Sequence, residues 1–299
     1  MIAFSEMKRG SLSGLEFRVL SREISDAVTG NYVSNIYSIG ESQLFRFRRP
    51  SAEEVGSDTG GVETSLVLSP KFGAWITESP TRVATTEFTT ALRGTLLRTK
   101  LASVSQYDMD RVLTMHFEGR GEQGRLKLVL ELMPPGNLLL VGPDDKIMLL
   151  LRDVKSDSRR LTKGLPYVPP VQTRASIESL TREDLLSALE HESTMGRALG
   201  RGLSIPRKYV DEFLARISRS QEDPSDVTEP EVDRIVATIK ELLSDIEKAP
   251  RPSIVKAGGG GVEVMVIEPK SHEVVETSQT LSPLLDKLFL PGILSGEEE

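Results

Sequence analysis

Asp110 and Arg111 close the run Gln106-Tyr107-Asp108-Met109-Asp110-Arg111, and their residue types suit them to reading a nucleic acid. A guanidinium can grip a phosphate or a base edge through parallel hydrogen bonds, and a carboxylate can accept from a base amino group or a ribose 2′-hydroxyl. The run reads as a strand start, where neighbouring side chains project to opposite sides. The two charges then do not simply neutralise one another. The plainer alternative is a turn carboxylate and a surface arginine, each pairing elsewhere for little energy.

Further cations fall in clusters: Arg46, Arg48 and Arg49; Arg93, Arg98 and Lys100; Arg152, Arg159, Arg160 and Lys163. Of these, Arg46, Arg48, Arg93, Arg98 and Lys100 are the candidate phosphate contacts. Any one cluster alone is as well explained by a solvated surface. The formal net charge of −7 argues against indiscriminate coating of nucleic acid but permits a local basic face on an acidic body.

Other chemistries lack their residues. There is no cysteine, and the three histidines (His116, His191, His272) have no ligand-like spacing, so no metal or cofactor is expected. No GxGxxG, GxxxxGK[ST], HExxH or GxSxG motif occurs, so no catalytic residue is assigned. The glycine run Gly258–Gly261 is followed by no Lys-Ser/Thr and reads as a flexible linker. No stretch approaches the roughly 20 apolar residues of a membrane span. The start, Met1-Ile2-Ala3-Phe4-Ser5-Glu6, lacks a secretory h-region, so the expected compartment is the cytoplasm.

The elements that must position these residues follow from periodicity. Leu15, Val19, Leu20, Ile24 and Val28 predict an amphipathic helix over 13–28, opened by a Ser13–Glu16 capping box and closed by Gly30. Strands are expected at 32–39 and then where Phe45 and Phe47 alternate with Arg46 and Arg48, with more near 64–68 and 74–77. Phe88, Leu92 and Leu96 predict a helix over 86–100, which would set Arg93 and Lys100 on one face. A meander follows near 102–106, 111–117, 125–132, 137–141 and 147–151.

After a Pro-rich boundary at Pro166-Tyr167-Val168-Pro169-Pro170, helices are expected at 181–190, 194–203, 207–219 and 229–247. The two helices around Ser204-Ile205-Pro206 form a helix–hairpin–helix-like unit, with Gly200 and Gly202 permitting close backbone approach. A strand pair at 262–267 and 272–276 and a helix at 281–290 complete the chain. The fold class is α+β: a β-rich domain over 1–165, a helical domain over 166–249, and a final segment over 250–299.

Several stretches resemble, in order, the N-terminal region of the NFACT family, called RqcH in prokaryotes and NEMF in animals and once labelled fibronectin-binding proteins in bacteria. They are Met7-Lys8 with Ser13-Gly14-Leu15-Glu16; Val33–Tyr37; Glu78–Thr86; Leu92-Arg93; Gln106–Arg111; Glu131–Leu138; Gly164–Pro170; and Thr277–Phe289. Glu16 stands where the family usually has Asp, Ala84 where it has His, and Gly94 where it has Lys.

The resemblance implies an N-terminal domain related to formamidopyrimidine-DNA glycosylases, then a helix–hairpin–helix domain leading toward a coiled coil. It implies binding of tRNA, chiefly alanyl-tRNA, on a large ribosomal subunit carrying a stalled peptidyl-tRNA, in support of C-terminal tailing. Asp110, Arg111 and, less directly, Glu16 become the expected tRNA contacts. Peptide-bond formation would belong to the ribosome, and neither a membrane nor DNA would be a partner. Two other classes are a DNA glycosylase-like enzyme, for which the N-terminal proline nucleophile is missing, and a surface fibronectin-binding adhesin, for which a signal peptide is missing.

Overall fold

The computed structural model describes residues 10–49, 63–79, 83–156, 159–171, 177–224 and 226–296. Met7-Lys8, Pro80-Thr81-Arg82, nearly all of the 50–63 loop and the 297–299 tail lie outside the described residues. The chain mixes helix with a large antiparallel β component. In order, its elements are α1 (Gly14–Val28), β1 (Tyr32–Ile39), β2 (Ser42–Arg48), β3 (Glu63–Ser69), β4 (Gly73–Thr77), α2 (Glu87–Leu96), β5 (Lys100–Gln106) and β6 (Val112–Glu118). Then come β7 (Arg125–Glu131), β8 (Asn137–Val141), β9 (Ile147–Leu150), the short β10 (Val154–Lys155) and β11 (Arg160–Leu161), and α3 (Arg182–His191). The remainder is α4 (Met195–Arg197), α5 (Arg207–Arg216), α6 (Glu229–Lys248), β12 (Ser253–Ala257), β13 (Gly261–Met265), β14 (Val274–Thr277) and α7 (Ser282–Ser295).

Two compact units divide the chain. One comprises the described residues of Leu20–Pro170 and Leu281–Glu299, the other those of Lys8–Val19 and Val171–Thr280.

The first unit is built on a nine-stranded sheet in the order β4-β3-β2-β1-β5-β6-β7-β8-β9. Alternation makes β2 what the sequence predicts, with Phe45 and Phe47 fully buried and their rings 6.1 Å apart. The seam between β1 and β5 is narrow: Tyr32 pairs with Lys100, and beside it the Val33 amide donates to Thr99 O and the Arg98 amide to Val33 O. Helix α2 packs on β1 and β9. It starts on the Thr86 cap and stops at Leu96, because Arg98 turns to φ +62° and Lys100 opens β5. The expected helical face shared by Arg93 and Lys100 does not form.

The last helix, expected in a separate terminal segment, belongs to this first unit. The Trp75 indole N–H donates to Asp286 Oδ1 at 2.8 Å, Phe72 stacks on Phe289, and the Glu23 carboxylate caps the first α7 amides at Leu281 and Ser282.

In the second unit α3, α4, α5 and α6 bury Leu185, Met195, Phe213, Ile235 and Ile239. Thr181 and Asp184 form a capping box on α3. The expected helix over 194–203 is only Met195–Arg197 followed by a wider π-type turn over Ala198–Gly202. Gly202 lies against α3 so closely that a Cβ there would sit 2.5 Å from Ala188 Cβ, whereas Gly200 has nothing nearer than 3.8 Å.

A three-stranded sheet, β13-β12-β14, completes the unit. The expected strand pair is thus split by a central strand, β12. The glycine run is no linker: it forms the tight connection between β12 and β13, with Gly259 and Gly260 at φ +77° and +80°.

Candidate nucleic-acid interface

Asp110 and Arg111 lie on the turn joining β5 to β6, one step before the strand start assigned from sequence. The turn is closed by the Tyr107 amide donating to Val112 O (3.0 Å) and the Asp110 amide to Tyr107 O (3.0 Å). Asp108, at its tip, takes φ +46°, a conformation that short polar Asp tolerates better than most residues. Gln106 Nε2 donates to Asp110 O at 2.8 Å, and the Arg111 amide donates to Asp110 Oδ1 at 2.7 Å. The Leu132 amide donates to Arg111 O at 2.9 Å and carries the β6–β7 ladder one residue past β6.

The turn backbone is therefore fixed, while both side chains are half-exposed. The Arg111 guanidinium has no ion-pair partner among the described residues. That is the arrangement a cation needs to receive a phosphate or base edge.

Behind this hairpin lies a buried polar knot. Arg159 grips Glu131 with both guanidinium nitrogens (2.9 and 2.5 Å), and the Tyr167 hydroxyl donates to Glu131 Oε1 at 2.9 Å. Burial, then the Glu131 charge and the hydrogen bond to it, push the Tyr167 hydroxyl far above its ordinary pKa. Burial pulls the Arg159 guanidinium down, but the bonds to Glu131 outweigh it and leave the group raised.

The other predicted cations divide. Arg46 and Arg93 converge on Tyr37, their guanidinium carbons 5.0 and 4.9 Å from the ring centroid. Arg93 Nε also donates to Ile36 O at 2.5 Å, and Arg46 lies 3.6 Å from Glu63. Arg48 is half-buried in β2, Arg98 is exposed on its turn, and Lys100 is 3.8 Å from Glu118. Half of the 152–163 cluster is consumed: Arg152 is bound by Glu41 and the Gly136 carbonyl, and Arg159 by Glu131, while Arg160 and Lys163 are exposed.

Glu16 is not at the surface at all. It has no exposed area, accepts from the Ser13 amide (2.7 Å) and hydroxyl (2.6 Å), and is bonded by Tyr209 and, at 3.2 Å, by Lys208. A carboxylate so enclosed cannot touch RNA in this conformation, so the expected tRNA contact at Glu16 is replaced by a structural bond within the second unit.

Sequence reasoning did not single out a cleft of about 760 Å³ in the second unit, lined by Arg197, Arg201 and Arg207 with Gln221 and Glu222. All three arginines are exposed; Arg201 lies 3.9 Å from Glu192, and Arg207 has no partner among the described residues. Their spacing along 197–207 was the available signal. Among the described residues no group of His, Asp or Glu is arranged to hold a metal, and no helix is long and apolar enough to cross a membrane.

Comparison with known proteins places this geometry in a family. The chain is 29% identical over 148 residues to ribosome quality control complex subunit 2 of Saccharomyces cerevisiae, covering 48% of this chain and 13% of that protein. It is 26% identical over 200 residues to the archaeal Rqc2 homolog aRqcH of Methanocaldococcus jannaschii, covering 63% of this chain and 29% of that one. It thus spans under a third of either relative's length. The fold is also that of the N-terminal part of the fibronectin/fibrinogen-binding protein of Streptococcus suis (TM-score 0.72, 18% identity, 94% of this chain and all of the other). The fibrinogen binding protein of Staphylococcus aureus shares it as well (TM-score 0.73, 20% identity, 93% of this chain and 98% of the other). The sequence profile described as NFACT N-terminal and middle domains matches residues 65–292, and the chain belongs to that family.

Proposed function

We propose that this chain is the tRNA-contacting region of a ribosome quality-control factor acting in the cytoplasm on large ribosomal subunits that hold a stalled peptidyl-tRNA. The observation that carries the reading is the Asp110–Arg111 hairpin: a rigid turn offering a half-exposed carboxylate beside a guanidinium without an ion-pair partner among the described residues. The names of the curated relatives supply the ribosomal setting. On this reading the chain binds and orients alanyl-tRNA for C-terminal tailing, and the ribosome forms the peptide bonds.

Arg111 takes a phosphate or base edge, and Asp110 accepts from a base amino group or a 2′-hydroxyl. Arg46 and Arg93 extend the contact from the first unit. The turn between Ala198–Gly202 and α5 acts as a helix–hairpin–helix whose cleft of Arg197, Arg201 and Arg207 takes further backbone phosphates.

The test is tRNA affinity of Asp110→Ala/Arg111→Ala against the parent, in one buffer, with the thermal midpoint measured beside it. Loss of a charge-assisted contact of about 1.5–3 kcal/mol should weaken binding roughly 10- to 100-fold with the fold intact. Equal affinities would remove the hairpin from the interface.

A further inference from the structure

The Glu131–Arg159–Tyr167 knot is unused by the contacts proposed above, yet it ties together two stretches that the sequence marks out, 131–138 and 164–170. Glu131 is 2% exposed, and its partners come from 28 and 36 residues further along the chain. A buried ion pair contributes little net stability over a well-packed apolar cluster, because desolvating both charges offsets their attraction. What a fork-shaped, fully bonded pair does supply is a single register.

The register it fixes is that of the hairpin's two feet. On one side, Glu131 pairs across the ladder with Val112, and the next residue, Leu132, donates its amide to Arg111 O. On the other side, Tyr107 packs against the apolar cluster of Val112, Val129 and Leu139, which Tyr167 also covers. The segment that brings in Arg159 and Tyr167 has little structure of its own, since β10 and β11 are two residues each. Arg159 also donates to Val168 O at 3.1 Å and so closes the segment onto the sheet.

We infer that Glu131, Arg159 and Tyr167 are positioning residues, which hold the Asp110–Arg111 turn in the conformation that binds RNA. This rests on the reading that the hairpin is an RNA contact. Removing the Tyr167 hydroxyl leaves the ring's packing and takes away one of the two bonds to Glu131 Oε1, the other coming from Arg159. The turn then samples other conformations, and only a fraction of molecules present Arg111 correctly.

The experiment is a double-mutant cycle on tRNA affinity in the whole chain, using Tyr167→Phe and Arg111→Ala. Arg159→Lys, which keeps the charge but loses the fork, serves as a second probe. Trp75→Phe, which removes a part-buried hydrogen bond to Asp286 that shares no residue with the knot, controls for general loosening. We expect Tyr167→Phe and Arg159→Lys each to weaken binding about 3- to 10-fold, the range of coupling within one bonded network, while Trp75→Phe leaves it unchanged. Both losses should vanish in the Arg111→Ala background. Losses of equal size with and without Arg111, or no loss at all, overturn the inference even where Arg111→Ala itself weakens binding. An Arg111→Ala variant with parental affinity would instead overturn the underlying reading of the hairpin. If one of the two knot variants fails to fold, the other decides.

Discussion

Glu16 receives four hydrogen-bonding groups in a site with no exposed surface: the Ser13 amide and hydroxyl, the Tyr209 hydroxyl and the Lys208 ammonium. Lys208 is itself buried and donates to Val264 O at 2.6 Å. Replacing Glu16 with Ala would strand that ammonium without its counter-charge and leave the Tyr209 hydroxyl short of an acceptor. Breaking such a pair from one side typically costs about 3–5 kcal/mol. Glu16→Ala should therefore lower the urea midpoint by a corresponding amount while the tRNA affinity of the folded protein stays parental. A loss of affinity without a loss of stability would return Glu16 to the interface.

The two halves of this residue's environment differ in legibility. The Ser13–Glu16 bond spans three residues of one helix turn and can be read from the sequence as a capping box. The Tyr209 bond joins residues 193 apart, and no local pattern announces it. Asp110 and Arg111 are legible as a polar pair at a strand start, but their placement on the turn depends on how β5 and β6 register.

At the scale of elements, the loop between β13 and β14 shows how one helix residue organises a whole segment. Glu212 on α5, fully buried, accepts from the Lys270 and Ser271 amides (each 2.8 Å), the Ser271 hydroxyl, Arg216 and His272. Burial by itself would raise its pKa, but the bonds from His272, Lys270 and Ser271 prevail and hold the carboxyl at about 2. Arg216 and His272 are the titratable side chains bonded to it.

A carboxyl depressed in the folded state contributes stability above its unfolded pKa, and that contribution is lost as pH falls through the folded value. The thermal midpoint should therefore drop between pH 4.5, the reference value, and pH 2. Glu212→Gln should be less stable near neutral pH and show a flatter dependence across that window. A variant with the parent's slope would show that Glu212 is not the titrating group.

Elements with strong periodicity, such as β2 and α1, are found where the alternation and the 3.6-residue spacing put them. Those set by partners depart from the local pattern. Helix α2 ends early because Leu97 to Thr99 turn back to pair with β1, and β12 escaped notice because its short buried run gains strand character only between two neighbours.

On the proposed reading, a chain of net charge −7 has to hold a polyanion. The body repels RNA at long range, so attachment has to come from a few directed arginines and not from a diffuse basic field. Each phosphate neutralised releases counterions and steepens the fall of log K with log salt by about 0.7–0.9. Arg111, Arg46 and Arg93 in the first unit, with Arg197, Arg201 and Arg207 in the second, set a ceiling near six such contacts. The expected slope is then on the order of −2 to −4, allowing for contacts to bases and incomplete engagement.

The two units should separate in this measurement. Arg197→Ala/Arg201→Ala/Arg207→Ala should flatten the slope by about 2 and weaken tRNA binding broadly across tRNA sequences, since phosphates carry no sequence. Arg111→Ala should flatten it by about 1 at most, and by nothing if Arg111 meets a base edge, while still weakening binding. Titrating labelled tRNA at several potassium chloride concentrations with these two variants reads both effects at once. A triple variant with the parent's affinity and slope would take the arginine cleft off the path of the RNA and leave the hairpin's own unit as the whole of the contact.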